Sequence, residues 1–196
     1  MITAQTVFGA FTDSAARWPE RPFLNVLQET ADIYNCAAGE ISYRAAQQIV
    51  GGYKDQISAA GYREGQRVML LLENRPEYFL WWMAFNALGL SVVPINPDLR
   101  EAELSYMIEH AEPVLAISIE NRCEELRDAA AKVGSAMDVI ALGQPLPKCH
   151  TDVCIAARDG AMEAALLYTS VTTVSPKCCI LINEYFFEAV RWYATA

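Results

Sequence analysis

With 196 residues, 53% of them hydrophobic and 20% charged, the chain can bury one substantial core and is globular in composition. A net charge of −9 leaves no basic stripe for nucleic-acid phosphates and no polybasic patch for anionic lipid. Six cysteines without dense, regular spacing exclude a disulfide scaffold and read as small apolar side chains in a reducing, cytoplasmic compartment.

The first residues lack the cationic and continuous apolar segments of a secretory signal. Phe8, Phe11, Ala15 and Trp18 recur at helical spacing, which predicts a helix over Val7–Trp18 stopped by Pro19. Phe23–Gln28 is a short β-type run that can pair with Glu40–Tyr43. A helix should follow from Arg44 to Ala60, with Gly61 as its left-handed stop.

Arg67–Leu72 is a continuous apolar strand of the kind buried on both faces of a parallel sheet. Asn74 is positioned to cap a helix over Glu77–Leu88, with Pro76 in its first turn. The aromatics of that helix read as core. The apolar window from Tyr78 to Ile95 approaches membrane-spanning length, but Asn86, Gly89, Ser91 and Pro94 divide it into helix, turn and strand, so no span is expected.

Asp98 and Glu101 suggest a capping box for a helix through His110, with Leu104, Met107, Ile108 and Ala111 as its buried stripe. Val114–Ile119, Glu124–Val133 and Val139–Leu142 continue the alternation of strand and helix. Short connections between alternating elements predict a parallel α/β sheet flanked by helices. Residues 143–160 are rich in turn formers and read as a connecting loop. His110 and His150 lack a nucleophile at recognisable spacing, and His110 reads as a helix-end charge or packing residue. A zinc site built from Cys149, His150, Cys154, Cys178 and Cys179 is not expected, because the spacing fits no paired CxxC pattern.

The most informative stretch is 164–183, two apolar runs around Thr169, Ser170, Thr172, Thr173, Ser175, Pro176 and Lys177. It predicts strand–loop–strand, and its hydroxyls with one ammonium could serve several anionic oxygens. Composition alone favours a Ser/Thr-rich surface turn.

The order of these residues closely resembles the phosphate-binding signature of the adenylate-forming enzymes, Tyr-Thr-Ser-Gly-Thr-Thr-Gly-x-Pro-Lys-Gly. Tyr168, Thr169, Ser170, Thr172, Thr173, Pro176 and Lys177 stand unchanged, while Val171, Val174 and Cys178 replace the three glycines. Glycine serves where backbone takes positive φ or approaches a ligand closely, so a β-branched residue there strains the loop or diverts it. From about Phe8 to Phe187 the chain resembles this family, and Glu73–Pro76 and Pro94–Pro97 look nearest to bacterial carnitine/crotonobetaine-type CoA ligases. Gln66 stands where the family most often has Asp, a departure expected to matter little for the fold.

The resemblance implies a Rossmann-like, incomplete N-terminal domain over 1–196. It further implies a reaction in which a carboxylate attacks MgATP and the acyl-adenylate passes to coenzyme A. By that resemblance Thr169, Ser170, Thr172, Thr173 and Lys177 would touch phosphate oxygens, and no catalytic residue or metal ligand lies within the chain. The expectation is therefore a ligase fragment that binds ATP, Mg2+ and coenzyme A weakly or not at all and self-associates through an unfinished sheet. The alternative is a non-enzymatic α/β module that binds a partner protein.

Overall fold

In the computed structural model, which describes residues 6–154, 162–169 and 177–195, helix α1 spans Val7–Arg17. Thr6 caps it by accepting from the Gly9 N–H at 3.0 Å. Strand β1 (Pro22–Val26) pairs antiparallel with β2 (Gly39–Ser42). Between them lies a short helix, α2 (Gln28–Tyr34), where the β-type run was expected to extend to Gln28. Asn35 ends that helix in the left-handed region, a conformation Asn tolerates. Helix α3 (Tyr43–Ala60) is capped by Ser42 and stopped at Gly61, whose φ is +87°.

Next come β3 (Arg67–Leu71), α4 (Pro76–Ala87), β4 (Ser91–Pro94) and α5 (Glu101–Ala111). Both expected caps shift. Pro76 forces its predecessor into extended backbone, so Arg75, at ψ 150°, becomes the cap residue and Asn74 falls one position short. In α5 the box closes at Arg100, whose N–H donates to the Glu103 carboxylate at 2.9 Å. Asp98 instead lies in a turn organised by Asn96, whose Oδ1 accepts the Asp98 N–H.

The chain continues through β5 (Leu115–Ser118), one 3-10 turn, α6 (Cys123–Lys132) and β6 (Asp138–Ala141). After the loop come β7 (Glu163–Thr169), β8 (Lys177–Ile182) and α7 (Asn183–Thr195). The strands β6-β5-β3-β4-β7-β8 form one six-stranded sheet in that order. All neighbours are parallel except β8, which returns antiparallel beside β7 because seven residues are too few for a crossover. The expectation of a parallel α/β sheet thus holds for all but this edge strand.

Alternate residues of the central strand feed two apolar layers. Val68, Leu70 and Leu72 pack with Phe11, Val50, Ile57, Trp81 and Phe85 of α1, α3 and α4. Met69 and Leu71 pack with Leu104, Met107, Ile108 and Leu126 of α5 and α6 on the other face. Helices on both faces explain why β3 reads as an unbroken apolar run.

Three polar contacts join segments far apart in sequence. The buried Asn86 accepts the Phe8 N–H at 2.9 Å and donates to Asn183 Oδ1, which also accepts the Val7 N–H. The residue that breaks the apolar window therefore satisfies the first turn of α1, whose N–H groups have no partner within the helix. Gln66 is 1% exposed; its amide oxygen accepts the Arg63 N–H and its Nε2 donates to the Thr151 carbonyl. An aspartate there could accept but not donate, so this substitution pins the loop after β6, and the expectation that it matters little understates it.

The third contact is a buried ion pair. The Arg67 guanidinium grips the Glu163 carboxylate through two bonds of 2.8 Å, and Ser91 donates to the same carboxylate at 2.6 Å. Truncating Glu163 strands a buried cation. We expect Glu163→Ala to cost about 3–5 kcal/mol, and the volume-conserving pair Arg67→Met/Glu163→Leu far less. Urea unfolding followed by circular dichroism measures both; a Glu163→Ala loss below about 1 kcal/mol would mean that water already compensates the pair.

Candidate functional site

Strands β3, β4 and β7 all point their carboxyl ends to one edge of the sheet. From β3 the chain leaves to α4 on one face, and from β4 it leaves to α5 on the other. The sheet order reverses between these two strands, and in open α/β sheets such a switch point opens a crevice that commonly holds ligands. Here it is a cleft of ≈ 520 Å³ lined by Leu70, Leu72, Glu73, Tyr78, Phe79 and the turn from Pro94 to Pro97. Glu73 sits at φ +57°, an uncommon conformation for a side-chain-bearing residue, and its carboxylate lies 3.5 Å from Arg75.

The β7–β8 hairpin rises at the same edge. Val92 of β4 pairs with Ala165 of β7, so four residues further on Asn96 and Thr169 reach one edge together. Across the hairpin Thr169 stands opposite Lys177, and the Thr169 hydroxyl donates to the Lys177 carbonyl at 3.4 Å. Both side chains are exposed. Ser170, Thr172 and Thr173, the other expected phosphate contacts, lie outside the described residues, as do Val171 and Val174. The hairpin register thus brings two of the expected phosphate contacts, Thr169 and Lys177, side by side at the loop's root. Among the described residues no group of three or more His, Cys, Asp or Glu could hold a metal ion.

Strand alternation divides the hairpin. Thr169 and Lys177 share one face with Leu167 and Cys179; Leu166, Tyr168 and Cys178 share the other, against α5. On that second face His110 Nδ1 lies 2.7 Å from the Tyr168 hydroxyl, and its Nε2 lies 3.9 Å from Cys178 Sγ. His110 is therefore more than a helix-end charge. Burial, followed by the nearby Cys178, pushes the Tyr168 phenol well above its ordinary range, so it keeps its proton at neutral pH.

Sequence reading missed Arg67, Ser91 and Glu163, which lie beneath the hairpin's first strand. The available signal was an arginine opening one apolar run and a glutamate opening another, since charges in such places are rarely buried unless paired.

A mostly parallel sheet with helices on both faces and a hairpin at its carboxyl edge defines an α/β domain. The AMP-binding enzyme family model matches residues 11–195, and the chain belongs to that family. It is 28% identical over 194 residues to the crotonobetaine/carnitine–CoA ligase of Proteus sp. (strain LE138), covering 86% of this chain and 36% of the relative. The sulfoacetate–CoA ligase of Cupriavidus necator is 26% identical over 177 residues, covering 87% and 33%. The chain thus spans about a third of the length of these curated relatives. A fatty acyl CoA synthetase of Mycobacterium tuberculosis superposes with a TM-score of 0.75 at 19% identity, covering 97% of this chain and 37% of that one. The N-terminal domain of FACL13 from the same organism gives 0.74 at 20% identity, covering 98% and 47%. These structural likenesses carry the fold, which is that of adenylate-forming N-terminal domains.

The cleft supplies a pH test of this edge. Burial pushes the Tyr78 phenol up from 10.0 to about 12. A folded-state pKa above the unfolded one gives a contribution that is complete below pH 10 and lost as pH rises to about 12. Tyr78→Phe should therefore flatten the alkaline fall in stability across that window. Guanidinium unfolding at stepped pH measures it, and a fall as steep as in the unsubstituted chain would count against a buried Tyr78 phenol.

Proposed function

We propose that the chain is the N-terminal part of an ATP-dependent, AMP-forming acid–CoA ligase. In this reading residues 164–183 form its strand, phosphate loop and second strand. The observation that carries the reading is the hairpin holding Thr169 opposite Lys177 at the carboxyl edge of the sheet, with the signature residues between them.

MgATP, when bound, supplies the phosphorus that a carboxylate attacks, and coenzyme A supplies the thiol that accepts the acyl group. This chain's share is to position. Thr169 offers a hydroxyl and Lys177 a fixed positive charge, and Ser170, Thr172 and Thr173 add donors from the loop. The parallel sheet and the Arg67–Glu163 pair hold the loop's root so that these donors need little reorganisation. The substrate class is a small carboxylic acid; the named relatives act on carnitine-type acids and on sulfoacetate.

The chain alone binds MgATP weakly and does not form the adenylate. The presence of Val171, Val174 and Cys178 at the signature's glycine positions supports this. A phosphate cradle works through backbone N–H groups converging on a concavity, and an isopropyl group there blocks approach. Calorimetry should detect no tight MgATP binding, and a low-micromolar affinity would reject this reading. The loop itself is tested by grafting 164–183 into the full-length Proteus ligase. Pyrophosphate release should fall by about 10²–10³ or more and rise steeply when Val171, Val174 and Cys178 of the graft are returned to glycine. A triple revertant within a few-fold of its parent would show that the glycines are not what the loop lacks.

Self-association belongs to the same reading. Strand β8 is an edge strand with Ile180 59% exposed, and α7 displays Tyr185, Val190 and Trp192, the last 65% exposed. Exposed apolar edges invite pairing. Sedimentation should find oligomers; a monodisperse monomer with a sharp melt would refute this.

A further inference from the structure

The face of the hairpin that the phosphate reading does not use carries a connected set of ionisable side chains. Cys178 is half-buried against the α5 layer, Tyr168 is its cross-strand partner, and His110 spans the two. Tyr106 stacks on the His110 ring at 5.8 Å between centroids and closes one side of it. The arrangement has the parts of an activated nucleophile: a thiol, a base within reach of it, and a hydroxyl that fixes the base. We propose that Cys178 is a reactive thiol that exchanges with small disulfides, with His110 as its base and Tyr168 as the residue that orients the imidazole.

The geometry assigns the roles. The Tyr168 hydroxyl lies 2.7 Å from Nδ1 and Sγ lies 3.9 Å from Nε2; in the tautomer that carries its proton on Nδ1, that N–H donates to the Tyr168 oxygen and Nε2 is the base facing Sγ. The thiol proton then passes from Sγ to Nε2. The thiolate attacks one sulfur of R–S–S–R, a new S–S bond forms as the old one breaks, and the leaving R–S⁻ takes the proton from the imidazolium. Cys178 is oxidised as the small disulfide is reduced, so no other oxidant is required.

The surrounding charges do not cancel this pairing. Arg67 acts on both Cys178 and Tyr168 but is bound two-fold to Glu163, so behind the trio β3 and β7 present a neutral pair. Lys177 points to the opposite face of β8, and Glu109 and Glu112 of α5 line a separate cleft with Asp138 and His150. An adduct at Cys178 therefore leaves on the α5 side, away from Thr169 and Lys177. Cys179 provides an internal control: it is more exposed, is adjacent in sequence, and has no hydrogen-bond partner among the described residues.

The test is site-resolved alkylation of the reduced chain with limiting iodoacetamide, read by peptide mass spectrometry. At pH 7 Cys178 should label about tenfold faster than Cys179, because a base within reach of a thiol assists its attack. The gap should close near pH 10, where ordinary thiols with pKa about 8.5 ionise without help. His110→Ala should bring Cys178 down to the Cys179 rate, with Tyr168→Phe between the two. Oxidised glutathione should then form its mixed disulfide at Cys178 ahead of the other cysteines. Equal labelling of Cys178 and Cys179 at pH 7 overturns the proposal, as does an undiminished rate in a folded His110→Ala chain. Should that substitution unfold the hairpin, the unsubstituted chain's pH profile decides alone. A gap that closes by pH 10 supports assistance by His110, and one that persists marks mere accessibility and overturns it.

Discussion

The attachment of the hairpin to the sheet depends on one buried ion pair. Between β4 and β7 the backbone register is anchored at Val92 and Ala165 alone, a short ladder for a strand that carries the signature loop at its end. Side chains supply the remaining hold. Glu163 at the start of β7 is gripped by Arg67 from β3, two strands away, and by Ser91 from β4. The Trp82 indole N–H donates to the next residue's carbonyl, that of Ala164. These bonds cross from the central strand to the hairpin beneath the sheet's edge. Burying two charges is costly, and the cost is offset only because every strong acceptor on Glu163 has a donor. The pair therefore specifies where β7 sits more than it adds to overall stability.

That constraint explains how the two faces of the hairpin acquire separate chemistry. Once β7 is fixed in register, alternation sends Tyr168 to α5 and Thr169 to the opposite side, and β8 follows with Cys178 and Lys177. A slip of one residue would exchange the two sets. The hydroxyl and ammonium would then face α5, and the tyrosine and thiol would take their places. Register here is specified by buried charge, apolar packing of Leu166 against the α5 layer, and a long antiparallel ladder between β7 and β8.

Much of the fold was legible because burial imposes periodicity. The unbroken apolar run at 67–72 and the glycine stop at Gly61 each have one dominant physical cause, and each appears in the structure where sequence placed it. Contacts that join distant positions left no local trace. Asn86 read as an interruption, although it serves the α1 N-terminus across 78 residues. Gln66 read as a neutral change, although its amide donates to a carbonyl 85 residues away. The caps moved for a local reason that was visible but under-weighted: the residue before a proline is pushed out of the helical region, which outranks the side-chain preference of Asn74. Of the candidate phosphate contacts, Thr169 and Lys177 meet across the hairpin; the others lie outside the described residues.

Cys178 occupies two roles that cannot both be served by one side chain. In the family signature its position is glycine, whose value is a backbone free to approach phosphate. Here it carries a sulfur that completes a chain from Tyr168 through His110. Cys178 sits within β8 opposite Tyr168 and not at positive φ, so glycine or serine there removes the thiol from a regular strand position. The two faces can therefore be addressed separately: serine at 178 removes the sulfur from the α5 face and leaves Thr169 and Lys177 in place on the other. Position 178 is thus where the proposed phosphate loop and the proposed thiol chemistry meet in one residue.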